Sequence, residues 1–227
     1  MGRVRVRQHV NPLASQYQQP SPVINWASVY ADPSLPLFVD MGCGPGRFLL
    51  LLARRHQQQQ QRMNYLGLEI RQPLVDRANK WAEELGVAGR VHYLFTNVSV
   101  SLARLLQAYP GPVSSLAAQF PDPHFKKRHK KRRMVQQSVV QAARELLVPG
   151  GEVFLQSDVY NAVVAMRDEF EQYAGDILQL SPLHSSFVSS WAAGGWLVDN
   201  PLGVPTEREH YVRAQGGKVF RVLLVKQ

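Results

Sequence analysis

Residues 37–55 leave little choice of fold. Leu37-Phe38-Val39-Asp40-Met41 is a short apolar run carrying one acid. Gly42-Cys43-Gly44-Pro45-Gly46 is a turn, and Arg47 to Arg55 holds an apolar body from Phe48 to Ala53. A strand that enters a helix through a glycine turn regains its sheet by a crossover, which opens a parallel βαβ unit. The alternation then repeats. Strands are expected at Tyr65–Ile70, Val91–Phe95, Ser114–Phe120, Glu152–Ser157 and Lys218–Val225. Between them lie helical patterns: Gln72–Leu85 with Gly86 as its C-cap, Ser101–Tyr109 before Pro110-Gly111-Pro112, Val135–Leu147 before Pro149-Gly150-Gly151, and Tyr160–Tyr173. Gln57–Gln61 reads as a polar connection, and 175–205 as loops holding one short strand. The expected fold is α/β, a mostly parallel sheet with helices on both faces. Residues 37–227 form one domain, preceded by an arm, 1–36, rich in Arg, Gln and Pro and without a clear period. The arm is expected to be partly disordered until it binds something.

Ligands of such sheets bind at the carboxyl ends of the strands, and polar residues gather there. Glycines at 42 and 44 let the backbone turn tightly and approach a ligand closely. The spacing Gly-x-Gly-x-Gly differs from the dinucleotide fingerprint Gly-x-Gly-x-x-Gly. Asp40 beside the loop would repel a pyrophosphate and suits a ligand bearing an amine and a sulfonium. A nicotinamide-dependent dehydrogenase is excluded on both counts. Glu69 ends the second strand, where an acid accepts hydrogen bonds from ribose hydroxyls. Asn97 follows the third, where an amide meets an adenine edge. Each alone is also what a turn or helix cap uses; three on successive strand ends point to a nucleoside cofactor.

These residues resemble the class I (Rossmann-like) S-adenosylmethionine methyltransferases. The resemblance implies Asp40 and Gly42 at the methionine end, Glu69 on the ribose and Asn97 at the adenine. Gly44, Arg71 and Gln119 line the same pocket. No metal is implied. The single cysteine, Cys43, rules out a disulfide framework and a cysteine-based zinc site, and the histidines at 9, 56, 92, 184 and 210 show no ligand spacing.

The formal net charge is +9, and it is localised. Residues 126–133 carry seven Lys/Arg and Arg3, Arg5 and Arg7 three more; without those ten, 16 Lys/Arg remain against 17 Asp/Glu. Two dense patches on an otherwise balanced chain suit a polyanion better than a solvated helix face. No apolar run reaches the ~20 residues that span a bilayer, and no secretory signal follows the basic start. The cytoplasm is the expected compartment, an organelle the alternative.

The basic run follows Phe120-Pro121-Asp122-Pro123. Prolines on both sides restrict the backbone and hold Asp122 at a strand end. Phe-Pro-Asp-Pro, then Lys, then Arg-His-x-Lys-Arg-Arg, resembles the signature of the tRNA (guanine-46-N7)-methyltransferases. Arg3 to Leu13, Ser157-Asp158 and Thr206-Glu207-Arg208-Glu209 are similar to that family's amino-terminal segment, Thr-Asp pair and Thr-x-x-Glu element. His124-Phe125 stands where many bacterial members have Trp-His, and Arg208 where many have Phe. The resemblance implies tRNA as partner and Asp122 as the catalytic acid, with Lys126, Asp158, Thr206, Glu207, Arg208 and Glu209 contacting the substrate or framing the target base. Lys127, Arg128, Lys130, Lys131, Arg132 and Arg133 would hold phosphates. Guanine N7 carries a free lone pair, so the reaction needs no general base. Asp122 then either favours the cationic product or accepts from guanine N1–H and the 2-amino group, a task Asp158 and Glu209 share. The resemblance is compatible with a monomer or homodimer and leaves open an accessory subunit. Two rivals remain: a non-catalytic RNA-binding protein of this fold, and a methyltransferase acting on a small molecule or protein.

Overall fold

The computed structural model describes residues 6, 10–124, 127–184 and 190–227. Its centre is a seven-stranded sheet of order β3-β2-β1-β4-β5-β7-β6, with β1 at Leu37–Met41, β2 at Asn64–Glu69, β3 at Val91–Phe95, β4 at Val113–Gln119, β5 at Leu147–Ser157, β6 at Leu178–Leu180 and β7 at Phe220–Lys226. The first five strands pair in parallel; β7 runs antiparallel to β5 and β6. Strand order reverses between β1 and β4, and in open α/β sheets that switch point is where ligands sit.

Strand alternation builds the two faces. Val39, Met41, Leu116, Ala118, Val153 and Leu155 meet α4 (Val98–Gln107), α5 (Gln137–Leu146) and α6 (Tyr160–Ala174). Phe38, Ala117, Phe154 and Leu223 meet α2 (Arg47–Gln58) and α3 (Gln72–Glu84). The sheet core is almost wholly apolar, each buried large side chain contributing about 1.5–3 kcal/mol.

Several boundaries differ from expectation. Helix α2 runs on through Gln57 and Gln58. Helix α4 starts at Val98 because Asn97 caps it, its Oδ1 accepting from Ser99 N at 3.2 Å. A further helix, α7 at Glu207–Ala214, had no sequence signal in its weakly patterned residues. The arm is also more ordered than its composition suggests. Its first residues lie largely outside the described ones, Arg3, Arg5 and Arg7 among them, but residues 10–36 pack on the domain. Ser15–Tyr17 is a 3-10 turn and Trp26–Val29 is α1. Trp26 stacks on Tyr30 at 5.8 Å and meets Tyr109 edge-on at 5.3 Å, while Tyr30 donates to Tyr65 O at 3.0 Å. Three aromatic rings burying one another outweigh the absence of a periodic pattern.

Candidate active site

The glycine loop is held by its own backbone. Gly42 N and Cys43 N both donate to Leu68 O, at 2.8 and 3.0 Å. Gly42, Gly44 and Gly46 all have positive φ, at 74°, 56° and 81°. At Gly46 the lack of a side chain is also steric: a Cβ there would lie 2.6 Å from Tyr93 Cε1. Tyr93 donates to Gly46 O at 2.5 Å and ties the loop to β3. Asp40, 3% exposed, sits behind the loop and accepts from Gln119 Nε2 at 3.2 Å. Burial pushes its carboxyl up to about 7; the Gln119 hydrogen bond opposes this and Glu69 adds to it. Burial likewise raises the Cys43 thiol well above its ordinary range, which disfavours the reactive thiolate.

Two chambers open at the carboxyl ends of the strands, sharing Gly42, Arg71, Phe120, Pro121 and Asp122 as a dividing wall. The larger, about 490 Å³, is lined by Asp40, Gly44, Arg47, Gln119, Asp158, Thr206, Glu207 and Arg208 besides the wall. That volume lies in the ~300–1,000 Å³ range of small-molecule sites. The smaller, about 160 Å³, holds Glu69, Thr96, Asn97, Arg132, Arg133 and, from the arm, Val10 and Pro12. The Phe120-to-His124 segment forms the wall under strain: Phe120 has φ 51° and His124 φ 42°. Non-glycine residues hold such conformations only where the surroundings over-determine them; here Phe120 N is anchored to Gln156 O at 2.8 Å.

The structure brings ten of the expected site residues around the larger chamber: Asp40, Gly42, Gly44, Arg71, Gln119, Asp122, Asp158, Thr206, Glu207 and Arg208. Glu69 and Asn97 face the smaller one, with their polar atoms engaged by the chain itself. Glu69 accepts from Gly44 N at 2.9 Å and from Arg71 through N, Nε and Nη2 at 2.8–3.0 Å. The amide of Asn97 donates to Pro12 O and Tyr17 O, both at 3.1 Å. Asn97 therefore pins the arm against the pocket, and its side chain has no donor left for an adenine. Arg47 pairs with Glu207, and Arg208 with Asp158, so two ion pairs bracket the larger chamber.

Glu209 departs most from expectation. It is fully buried and does not line the chamber. It accepts from Arg221 Nη2 at 2.7 Å and Asn200 Nδ2 at 2.8 Å. The Thr-x-x-Glu element is in fact a helix start: Thr206 Oγ1 accepts from Glu209 N at 3.1 Å and caps α7. Of the two roles expected for Glu209, contact with the substrate or framing of the target base, its burial suits the second.

Among the basic residues, Lys126 and the Lys127 side chain lie outside the described residues. Residues Lys127–Arg132 form a 3-10 turn. Arg128, Lys130 and Lys131 are exposed, Lys130 reaching Glu169 at 2.9 Å. Arg132 and Arg133, the last two residues of the run, line the smaller chamber. Sequence reasoning missed Arg47, Gln156 and Arg221. The signal for Arg221 was present: an arginine inside Phe-Arg-Val-Leu-Leu-Val is a charge in a strand that must be buried. Among the described residues no group of three or more His, Cys, Asp or Glu is placed to hold a metal, and no helix is long and apolar enough to cross a membrane.

A family model described as "Putative methyltransferase" matches residues 34–222. A tRNA (guanine-N(7)-)-methyltransferase of Synechococcus sp. (strain JA-3-3Ab) is 47% identical over 98% of this chain and 86% of its own length. Those of Synechocystis sp. (strain PCC 6803) and Synechococcus elongatus are 44% and 45% identical, over 99% and 100% of this chain and 98% and 99% of theirs. Among solved structures, an rRNA methylase from Streptococcus thermophilus superposes with a TM-score of 0.50 at 9% identity, over 88% of this chain and 90% of that one; it speaks to the fold alone.

Proposed function

The chain belongs to the family of tRNA (guanine-N(7)-)-methyltransferases, and from that premise we propose how its residues divide the transfer of a methyl group from S-adenosylmethionine to N7 of a tRNA guanine. The rival of a non-catalytic binder falls with family membership, and so does a small-molecule or protein substrate. The observation that carries the assignment of roles is the larger chamber. It joins the glycine loop and buried Asp40 on one wall to Asp122, Asp158 and the α7 start on the other.

The residues fit the cofactor. Gly42 and Gly44 present bare backbone at positive φ, and Asp40 is a buried acceptor for an ammonium group. Glu69 suits a ribose diol once Arg71 yields one of its hydrogen bonds. Backbone groups around Asn97 remain for the adenine. When bound, the cofactor supplies an electrophilic methyl group on a sulfonium.

The guanine lone pair at N7 is the nucleophile, so no side chain removes a proton. The bound donor would supply the methyl group to N7 and leave as a neutral thioether, so no side chain has a proton to take up or give. The protein's task is alignment. Asp122, exposed on the wall between the chambers, is placed to offset the positive charge that develops on the purine. Asp158, Thr206, Glu207 and Arg208 frame the base from the opposite rim, with the Arg208–Asp158 and Arg47–Glu207 pairs opening to admit it. The basic segment 126–133 and the arginines at the start of the arm hold phosphates, and the target is the variable-loop guanine at position 46. The arm, 1–36, is a distinct functional unit whose second part is docked on the domain, 37–227.

The test incubates the chain with labelled S-adenosylmethionine and unmodified tRNA transcripts, then maps the product by borohydride and aniline cleavage. Cleavage at one variable-loop guanine is expected. Asp122→Asn should lower kcat by roughly 10²–10³, the scale of removing one transition-state electrostatic contact, with cofactor affinity retained. An Asp122→Asn enzyme of normal kcat would remove Asp122 from the chemistry.

A further inference from the structure

The register of the sheet lines up one polar rung across the top of the face that carries Phe38, Ala117 and Phe154. Gln119 of β4 is the direct partner of Gln156 of β5, and Gln156 that of Arg221 of β7. Asp40 is opposite Ala117, so Gln119 stands one side-chain step beyond it on the same face. Gln156 is fully buried, Arg221 2% exposed and Gln119 8%. The rung is bonded end to end. Arg221 Nε donates to Gln156 Oε1 at 3.2 Å, Gln156 Nε2 to Gln119 Oε1 at 2.7 Å, and Gln119 Nε2 to Asp40 Oδ1 at 3.2 Å. Gln156 Nε2 also faces Glu209 Oε2 at 3.4 Å.

The chemistry of the far end dictates the direction of every link. A guanidinium only donates and a carboxylate only accepts. Turning Gln156 over would set its NH₂ against Arg221 and its carbonyl against Glu209, two repulsive contacts in a dry site where such errors are costly. With Gln156 fixed, a reversed Gln119 would oppose NH₂ to NH₂ and present its carbonyl to Asp40. We propose that the Arg221–Glu209 pair, acting through Gln156, locks the Gln119 amide so that Asp40 always meets a donor, which makes Gln156 and Arg221 positioning residues for the cofactor acid. The cofactor clause rests on the role given above to Asp40; the locking does not.

The consequence is electrostatic. Asp40 is buried and faces few helpful groups. From the loop it meets Cys43, from β2 Glu69, from β3 Tyr93 and from β4 Gln119, with Arg47 and Arg71 on the chamber wall. Of the two groups that perturb its carboxyl directly, Glu69 disfavours ionisation and Gln119 favours it. An ammonium ligand needs the ionised form. Loss of the lock therefore costs affinity at acid and neutral pH and nothing well above the titration.

The test follows the Asp40 carboxyl carbon by NMR in ligand-free protein, in parallel with calorimetric titration of S-adenosylhomocysteine at pH 6.5 and 8.5. Gln156→Met keeps the volume and removes the relay; Gln119→Leu removes its last link and serves if Gln156→Met does not fold. Gln119→Leu should raise the Asp40 midpoint by about one unit, the scale of one hydrogen bond to a charge. Gln156→Met should raise it in the same direction, and adding it to Gln119→Leu should change nothing more. S-adenosylhomocysteine should bind roughly tenfold more weakly at pH 6.5, with affinity recovered at pH 8.5. An Asp40 midpoint unmoved by Gln156→Met while Gln119→Leu shifts it overturns the relay, as does a midpoint that neither variant moves. Midpoints that shift as stated with pH-independent ligand affinity uphold the lock and overturn the assignment of Asp40 to the cofactor.

Discussion

Truncating Glu209 separates a framing role from a base-reading one. In the folded chain its carboxylate and the Arg221 guanidinium are 1% and 2% exposed and 2.7 Å apart. Asn200 and Gln156 use its other oxygen. Glu209→Ala leaves a buried cation without its counter-charge and removes one of the two acceptors of the Asn200 amide, the other being Val204 O. Breaking one partner of a buried pair costs about 3–5 kcal/mol. For a chain of this size that corresponds to a fall of roughly 6–20 °C in Tm. The assay is urea unfolding followed by circular dichroism, in Glu209→Ala, Arg221→Met and the double variant. Removing both charges abolishes the uncompensated cation, so the double variant should recover most of the loss. A surface carboxylate that touches only RNA would behave otherwise: stability unchanged, KM for tRNA raised. Wild-type stability in Glu209→Ala would falsify the framing role and return this residue to the base.

Gly46→Ala places a Cβ 2.6 Å from Tyr93 and 2.8 Å from Ala78 Cβ at φ 81°; left-handed strain and overpacking together should cost about 2–4 kcal/mol in denaturant unfolding, and an unchanged midpoint would show the loop to be looser than described. The Asp40 carboxyl, raised to about 7, lies above its unfolded value, so its share of stability is present at low pH and lost as pH rises through about 7. Cofactor binding has the opposite sign, because it needs the ionised acid: affinity for S-adenosylhomocysteine should fall as pH drops through about 7, and a flat profile from 6 to 8 would contradict it. Binding of tRNA should weaken with salt at a log–log slope of roughly 0.7–0.9 per phosphate held; Lys131→Ala should lower that slope by close to one unit, and salt-independent binding would refute the role of the basic run.

Residues 37–174 were legible because their order is local. A five-residue apolar strand, a glycine turn and an amphipathic helix each write their signal over a few neighbouring positions. The polar strand ends were legible for the same reason, since Asp40 and Glu69 stand in the last residues of a recognisable strand and Asn97 and Asp122 just after one. Beyond position 174 the same reasoning weakened: α7 has no strong face because its function is to bring Glu209 inward, and two residues, Glu209 and Val212, are all it buries. The arm escaped for a related reason, as Trp26 and Tyr30 find Tyr109 from some eighty residues away. What each polar residue does was settled by partners distant in the chain. Glu209 lies 12 residues before Arg221 and 53 after Gln156, and only the antiparallel return of β7 beside β5 makes the three one network. Asn97, read as an adenine contact, spends its amide on Pro12 and Tyr17. Local pattern determines which groups stand at the end of each strand. Which of them face a ligand and which face one another depends on register and on long-range closure, because a buried donor or acceptor takes whatever partner the completed fold sets beside it.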